Sequence, residues 1–346
     1  MIKTPRHPFI ELTIARILTT VREPEILFWG LIFPTLMALG LGIAFTSSPE
    51  PLIVVGVEET QGADHLIELL DAHRGVEVFS LLRSETAAAL RDGRAHLVVT
   101  PDIPPTYRYD PTRPESRLAR LVVDDLLQGA SGRKDIWSGR ENHLVAPGSR
   151  YIDWLVPGLL GMNIMGMGMW GIGFSVVVQR SRKLLKWLIA TPMRRFHFLG
   201  ALVAARLVFL GLETLVLLGS ARLVFGIPIE GSMVNIAAVS LLGAVTFGSI
   251  GLLVASRVRT IEGVSGIINV VMVPMWIASG VFFASSNFPD PLQPLIQAMP
   301  LTALVDALRG VMLNGDGLKV LASELLILSA WGSVSFAVAL KLFVWR

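Results

Sequence analysis

The stretch QRSRKLLKWLIATPMRR, residues 179–195, carries six positive charges (Arg180, Arg182, Lys183, Lys186, Arg194 and Arg195) and no acid. Between them stand Leu184, Leu185, Trp187, Leu188 and Ile189, and then Thr191 and Pro192. Greasy residues set in a basic rim make a short amphipathic helix that lies along a membrane surface. Pro192 ends that helix, because a proline pushes the residue before it out of the helical region. Long apolar runs flank the stretch on both sides. The reading that follows is a cytoplasmic loop between two spans, which receives force from a separate soluble partner.

Composition supports a membrane chain. Of 346 residues, 52% are hydrophobic and 16% charged, and the mean hydropathy is +0.61. Soluble domains carry about a quarter charged residues. With no cysteine, disulfides, thiolate metal sites and cysteine nucleophiles are excluded. A net charge of +3 gives no support to nucleic-acid binding. The first apolar run is longer than a signal-peptide core, so an uncleaved signal-anchor is expected.

Residues 1–25 hold an amphipathic helix. Ile10, Ile14, Ile17, Leu18 and Val21 share one helical face; directly before a span, a helix lying flat in the interface is favoured over one packed on protein. Residues 26–46 form the first span, with Pro34 kinking it and freeing a carbonyl that a neighbouring helix or water must satisfy. Residues 47–150 alternate short apolar runs with amphipathic helices, the pattern of an α/β domain. Its histidines, His65, His73, His96 and His143, fit no ligand spacing and read as solvated or structural rather than as a metal site; Asp64, Asp124 and Asp125 suggest no catalysis.

Residues 151–346 hold five further helices. The second span (151–178) is rich in Gly and Met: Gly161 with Gly168, and Gly166 with Gly173, allow close helix approach, and Met162, Met165, Met167 and Met169 read as adaptable packing rather than soft-metal ligands. The coupling loop 179–195 follows. The third span (198–225) contains Arg206 and Glu213. Glu213 either lines a polar cavity or belongs to a buried pair; Arg206, two turns earlier, reaches it only if the backbone bends or water bridges. The fourth span is 234–255. The fifth, 261–283, has Asn269 near its middle and Pro274 breaking it. Arg206, Glu213 and Asn269 are the candidate intramembrane polar site. Residues 285–314 are too apolar for a loop and too proline-broken for a span, which suits an outer re-entrant hairpin. The sixth span is 318–345. The fold class is thus an α-helical polytopic membrane protein of six transmembrane helices, with an inserted α/β extracytoplasmic domain and an outer re-entrant helical hairpin.

Charge orients it. Lys3, Arg6, Arg16, Arg22, the loop 179–195, Arg257, Arg259, Lys341 and Arg346 fall on one side. The short loops opposite hold only Arg309, with Lys319 at the border of the last span. Positive residues stay inside, so both termini are cytoplasmic and residues 47–150 lie outside. No GxxxxGK[ST], HExxH or GxSxG occurs, so ATP hydrolysis by a phosphate-cradling loop is not encoded here.

REPEILFWGLIFPTLMALGLGIAF (residues 22–45), RKLLKWLIATPMRR (182–195), PLIVVGVEE (51–59), LRDGRAHLVVTPD (90–102) and PLTALVDALRG (300–310) together resemble the membrane subunits of type-2 ABC exporters, the ABC-2 permeases, in the branch with a large insert between spans one and two. The resemblance covers nearly the whole chain. It implies a bacterial inner-membrane permease, paired as homodimer or heterodimer, driven by two cytoplasmic ABC ATPase subunits that hold the ATP and Mg; no cofactor sits on this chain. The N-terminal helix and the loop helix would rest against each ATPase. Arg182, Lys183 and Lys186 would supply a charged rim, Trp187 and Leu188 apolar anchors, and Thr191 and Pro192 the helix end. A periplasmic adaptor is an optional further partner; nucleic acid is not one. Few fixed polar groups in the spans favour an amphipathic or hydrophobic cargo such as a drug, lipid or lipid-linked glycan. Two alternatives stand beside this reading. One is a sensor or assembly protein whose outer domain binds a ligand. The other is a secondary transporter that depends on Glu213.

Overall fold

The computed structural model describes residues 8–46, 53–134, 148, 150–181 and 195–342. The chain divides into two compact units. One comprises Met1–Thr46 and Val145–Arg346; the other is Ser47–Leu144.

Helix α1 (Pro8–Arg22) turns its apolar stripe outward: Ile10, Ile14, Leu18 and Val21 are 47, 37, 47 and 50% exposed. The more polar flank with Thr13 and Arg16 is half-buried. That is the inverse of an amphipathic helix seated on a soluble core, and it suits a helix whose greasy side meets lipid. Burial holds the Arg16 guanidinium below its ordinary pKa, with the charge of Glu23 acting the other way. Glu23 is extended and Pro24 begins α2 (Pro24–Leu27), since the residue before a proline leaves the helical region. A π-helical stretch, Phe28–Ile32, then leads into α3 (Phe33–Thr46).

The second unit is a four-stranded sheet ordered β2-β1-β3-β4. Strand β1 (Ile53–Glu58) pairs in parallel with β2 (Val76–Leu81) and β3 (Leu97–Thr100), and β4 (Thr106–Arg108) runs antiparallel to β3. Buried parallel strands read as unbroken apolar runs, which is why IVVGV and LVV stand out in the sequence. Helices α4 (Ala63–Asp71) and α6 (Pro114–Ala130) cover one face through Leu66, Leu70, Ala119 and Val123. Helix α5 (Thr86–Arg91) covers the other through Ala89, against Leu81 and Val98. His96 is structural: its Nδ1 accepts the Val54 N–H at 3.2 Å.

In the first unit, α7 (Tyr151–Gly168), a π-helical stretch (Met169–Phe174) and α8 (Ser175–Ser181) form one long rod. Helices α9 (Arg195–Phe225), α10 (Met233–Ala255), α11 (Ile261–Ala278), α12 (Gln293–Gln297), α13 (Pro300–Arg309) and α14 (Ala322–Leu342) follow, and α1 packs along α9. Among the described residues, six helices are long and apolar enough to cross a membrane: Phe28–Phe45, Tyr151–Ser181, Ala204–Phe225, Met233–Ala255, Ile261–Ala278 and Ala322–Leu342. Pro274 does not break α11, which runs on to Ala278. The chain turns at Gly280, whose φ of +76° suits glycine. The proline-rich passage is a helical pair, Asp290–Gln297 and Pro300–Asn314, bent by 82°. Its second arm lies in the core, with Leu301, Leu304, Val305 and Leu308 fully buried, so protein covers its backbone as such a passage requires.

The second rod and α10 are the middle of the bundle. Met162, Met165 and Met169 sit in the hydrophobic core, as gap-filling thioethers do. A Cβ at Gly168 would lie 2.7 Å from the Phe247 side chain, and one at Gly173 would lie 2.7 Å from the Gly251 carbonyl oxygen. Gly161 instead faces Val305 of α13.

Candidate functional site

Two places in the first unit gather polar groups where apolar packing would be cheaper. One lies within the spans. Pro34 has no N–H to give the carbonyl of Gly30, four residues back. Asn163 of α7 supplies the missing donor, its Nδ2 bonding the Gly30 oxygen at 3.0 Å. Beside that carbonyl sits Glu213 of α9. A Cβ on Gly30 would come within 3.3 Å of Glu213 Oε1 and 2.9 Å of Met167 Cε, so a larger residue there would have to displace the ends of both side chains.

Glu213 is paired along its own helix. Arg206 Nη1 donates to Oε1 at 3.0 Å and to Oε2 at 3.3 Å, and Nη2 donates to Oε2 at 3.3 Å. Seven residues rise about 10 Å along an α-helix, and the length of the arginine spans that gap with α9 unbroken. This corrects the expectation that a bend or bridging water is needed. The pair is fork-on-fork, the strongest carboxylate geometry, and buried: the side chains of Arg206 and Glu213 are 13 and 4% exposed. A crevice of about 10 Å³ opens between Gly30, Met167, Phe209 and Glu213. Asn269 does not join them: it is exposed on α11 and lies outside the crevice lining. The cluster therefore clasps three spans and carries no net charge.

The other place is the root of the basic loop. Arg182, Lys183, Lys186, Trp187, Leu188, Thr191 and Pro192 lie outside the described residues. The two residues that lead into them do not. Arg180 Nη1 donates to the carbonyls of Ala255 and Val258, both at 3.0 Å. Gln179 is buried, and its Oε1 accepts from Arg16 Nη2 at 3.4 Å. The last turn of α8 is thus tied to α1 and to the turn between α10 and α11.

At the opposite end of the rod, Arg150 bonds Asp153 at 2.7 Å and donates to the Phe225 carbonyl at 2.9 Å. Arg309 lies over the Trp154 ring, 3.6 Å from its centroid, and donates to the Gly280 carbonyl.

Sequence reading missed Asn163, Arg180 and Arg309 as tethers. The asparagine was the one amide in α7, a signal that was present. It also missed Glu58 of the second unit. That carboxylate, 1% exposed, accepts from Thr86 and Thr100 hydroxyls at 3.0 Å each and pairs with Arg108. Among the described residues no group of His, Asp or Glu could hold a metal ion.

Six packed spans, a polar clasp among three of them, a tethered basic loop and a separate α/β unit define a multi-pass helical membrane protein. Residues 118–313, more than half of the chain, match the family model for ABC-2 type transporters. The chain belongs to that family. It is similar to the inner membrane transport permease YhhJ of Escherichia coli K12, 25% identical over 172 residues, which are 49% of this chain and 46% of the relative. It is also similar to the inner membrane transport permease YadH of the same organism, 25% identical over 166 residues, 47% of this chain and 63% of the relative. A third relative is ABC transporter G family member 20 of Dictyostelium discoideum, 29% identical over 193 residues, 53% of this chain and 26% of that protein. The match thus spans about half of YhhJ.

Proposed function

We propose that the chain is the membrane-spanning permease subunit of an ATP-driven exporter in the inner membrane, working as a dimer with a separate cytoplasmic ABC ATPase. The observation that carries this is the loop at 179–195: its six positive charges place it inside, and its root is fastened to packed helices by Arg180 and Gln179. A push on a loop with a rigid root is delivered to the spans. The printed names of YhhJ and YadH, transport permeases of the inner membrane, support the class and the location. ATP and Mg are assigned to the partner. On this topology both termini are cytoplasmic and the α/β unit lies outside. The cargo is amphipathic or hydrophobic, because the buried charges among the spans, Arg206 and Glu213, are consumed by each other.

Affinity purification of the full chain from its native membrane tests this. An ABC ATPase should accompany it, and should be lost when Trp187 and Leu188 are both changed to Asp. Recovery of the intact chain with no ATPase would favour the sensor reading, in which the α/β unit binds a ligand.

A further inference from the structure

The second rod and α10 touch at three levels in the same order along both. Gly168 lies against Phe247, Gly173 against Gly251, and Arg180 against Ala255 and Val258. The order rises in both, so the helices run parallel. The first two levels are backbone-close, since a methyl at either glycine would collide with backbone of α10. Gly168 and Gly173 are five residues apart, a spacing that diverges on an α-helix. The i→i+5 winding of Met169–Phe174 brings both to the α10 side. Backbones this close slide little, because no flexible side chain lies between them.

The third level differs in kind. The last carbonyls of an α-helix have no partners within it, and a cation there is favoured by the helix dipole. Arg180 Nη1 meets both needs: it takes the Ala255 carbonyl at the end of α10 and the Val258 carbonyl in the turn beyond. Ser181, the last residue of α8, is one position further on. Without such a tie, the last turn of α8 would be a fraying end, and a displacement of the loop would be absorbed there.

We propose that Arg180 is a positioning residue that locks α8 to the end of α10, so that the two helices move as one strut and loop displacement reaches the turn at residues 256–260. It touches neither cargo nor nucleotide. The idea of a displacement rests on the exporter reading; the lock itself does not.

The absence of native cysteine allows a direct test. Ser181 and Arg257, both exposed, are changed to Cys and spin-labelled in the purified full chain in lipid nanodiscs. The pair should give one narrow distance distribution. In Arg180→Gln it should about double in width, as an untied helix end frays, and Arg180→Lys should restore part of the narrowness. Equal widths in all three would overturn the lock. Should Arg180→Gln fail to assemble, Arg180→Lys set against Gly171→Ala decides: the lysine, without the guanidinium, must broaden the distribution, whereas Gly171→Ala, with nothing within 4 Å, must leave it unchanged. Equal widths in these two would refute the lock. In complex with the ATPase, added ATP should leave the 181–257 distance fixed in the native background and change it in Arg180→Gln. Failure to find an ATPase removes only this last arm, and with it the exporter reading.

Discussion

Arg206 and Glu213 should be tolerated together and not apart. Each is a charge among spans, where an uncompensated one costs about 2.5–3.5 kcal/mol on insertion scales. Three nitrogen–oxygen contacts of 3.0–3.3 Å cancel most of that. Arg206→Met leaves Glu213 alone at 4% exposure, wedged between Gly30 and Met167. A loss of about 3 kcal/mol is expected, within the range seen when one partner of a buried pair is removed. Glu213→Leu leaves Arg206, which at 13% exposure can reach towards the membrane surface; about 2 kcal/mol is expected there. Arg206→Met with Glu213→Leu removes both charges and keeps the volume, so it should fall within about 1 kcal/mol of the native chain. The implied coupling is at least about 4 kcal/mol. Unfolding in lipid–detergent micelles, followed by helical signal against a denaturing detergent, measures all four corners. If the double variant loses the sum of the single losses, the pairing argument is wrong. If it is stable yet transport-dead, Glu213 serves a polar path as well as a pair.

Two predictions concern the α/β unit. Glu58→Ala should cost about 3 kcal/mol, because the Thr86 and Thr100 hydroxyls and Arg108 lose a shared buried acceptor; hydrogen exchange at β1 and β3 in the intact chain should show the loss, and unchanged protection would rule out a structural role for the carboxylate. Tyr107 has its pKa pushed from 10.0 up to about 12, by burial first and then by its hydrogen bond to Asp124. Because the folded value is the raised one, its contribution is complete below the unfolded value and disappears as pH rises through about 12. A phenolate absorbance titration should show a component at about 12 that is lost in Tyr107→Phe.

The first span, the inserted unit and the face of α1 were legible because each depends on neighbours in sequence. Run length distinguishes a span from a core helix, a burst of charge and proline marks the change of solvent at the insert, and the spacing of Ile10, Ile14 and Leu18 sets a helical stripe. That Pro34 frees a carbonyl which something must satisfy was legible too. Which residue would do so was not.

The partner proved to be Asn163, 133 residues from Gly30. Arg180 finds its carbonyls 75 and 78 residues away, and Glu58 finds Thr100 at 42. The sequence by itself determined that a polar group set in an apolar run, such as the carbonyl freed by Pro34, must find a partner, since leaving it unmet is costly. Only tertiary packing decided which partners, because helices that are greasy all round carry no stripe to say which side faces which neighbour. At the sites seen here the choice fell to glycines that let backbones meet and to side chains long enough to reach across.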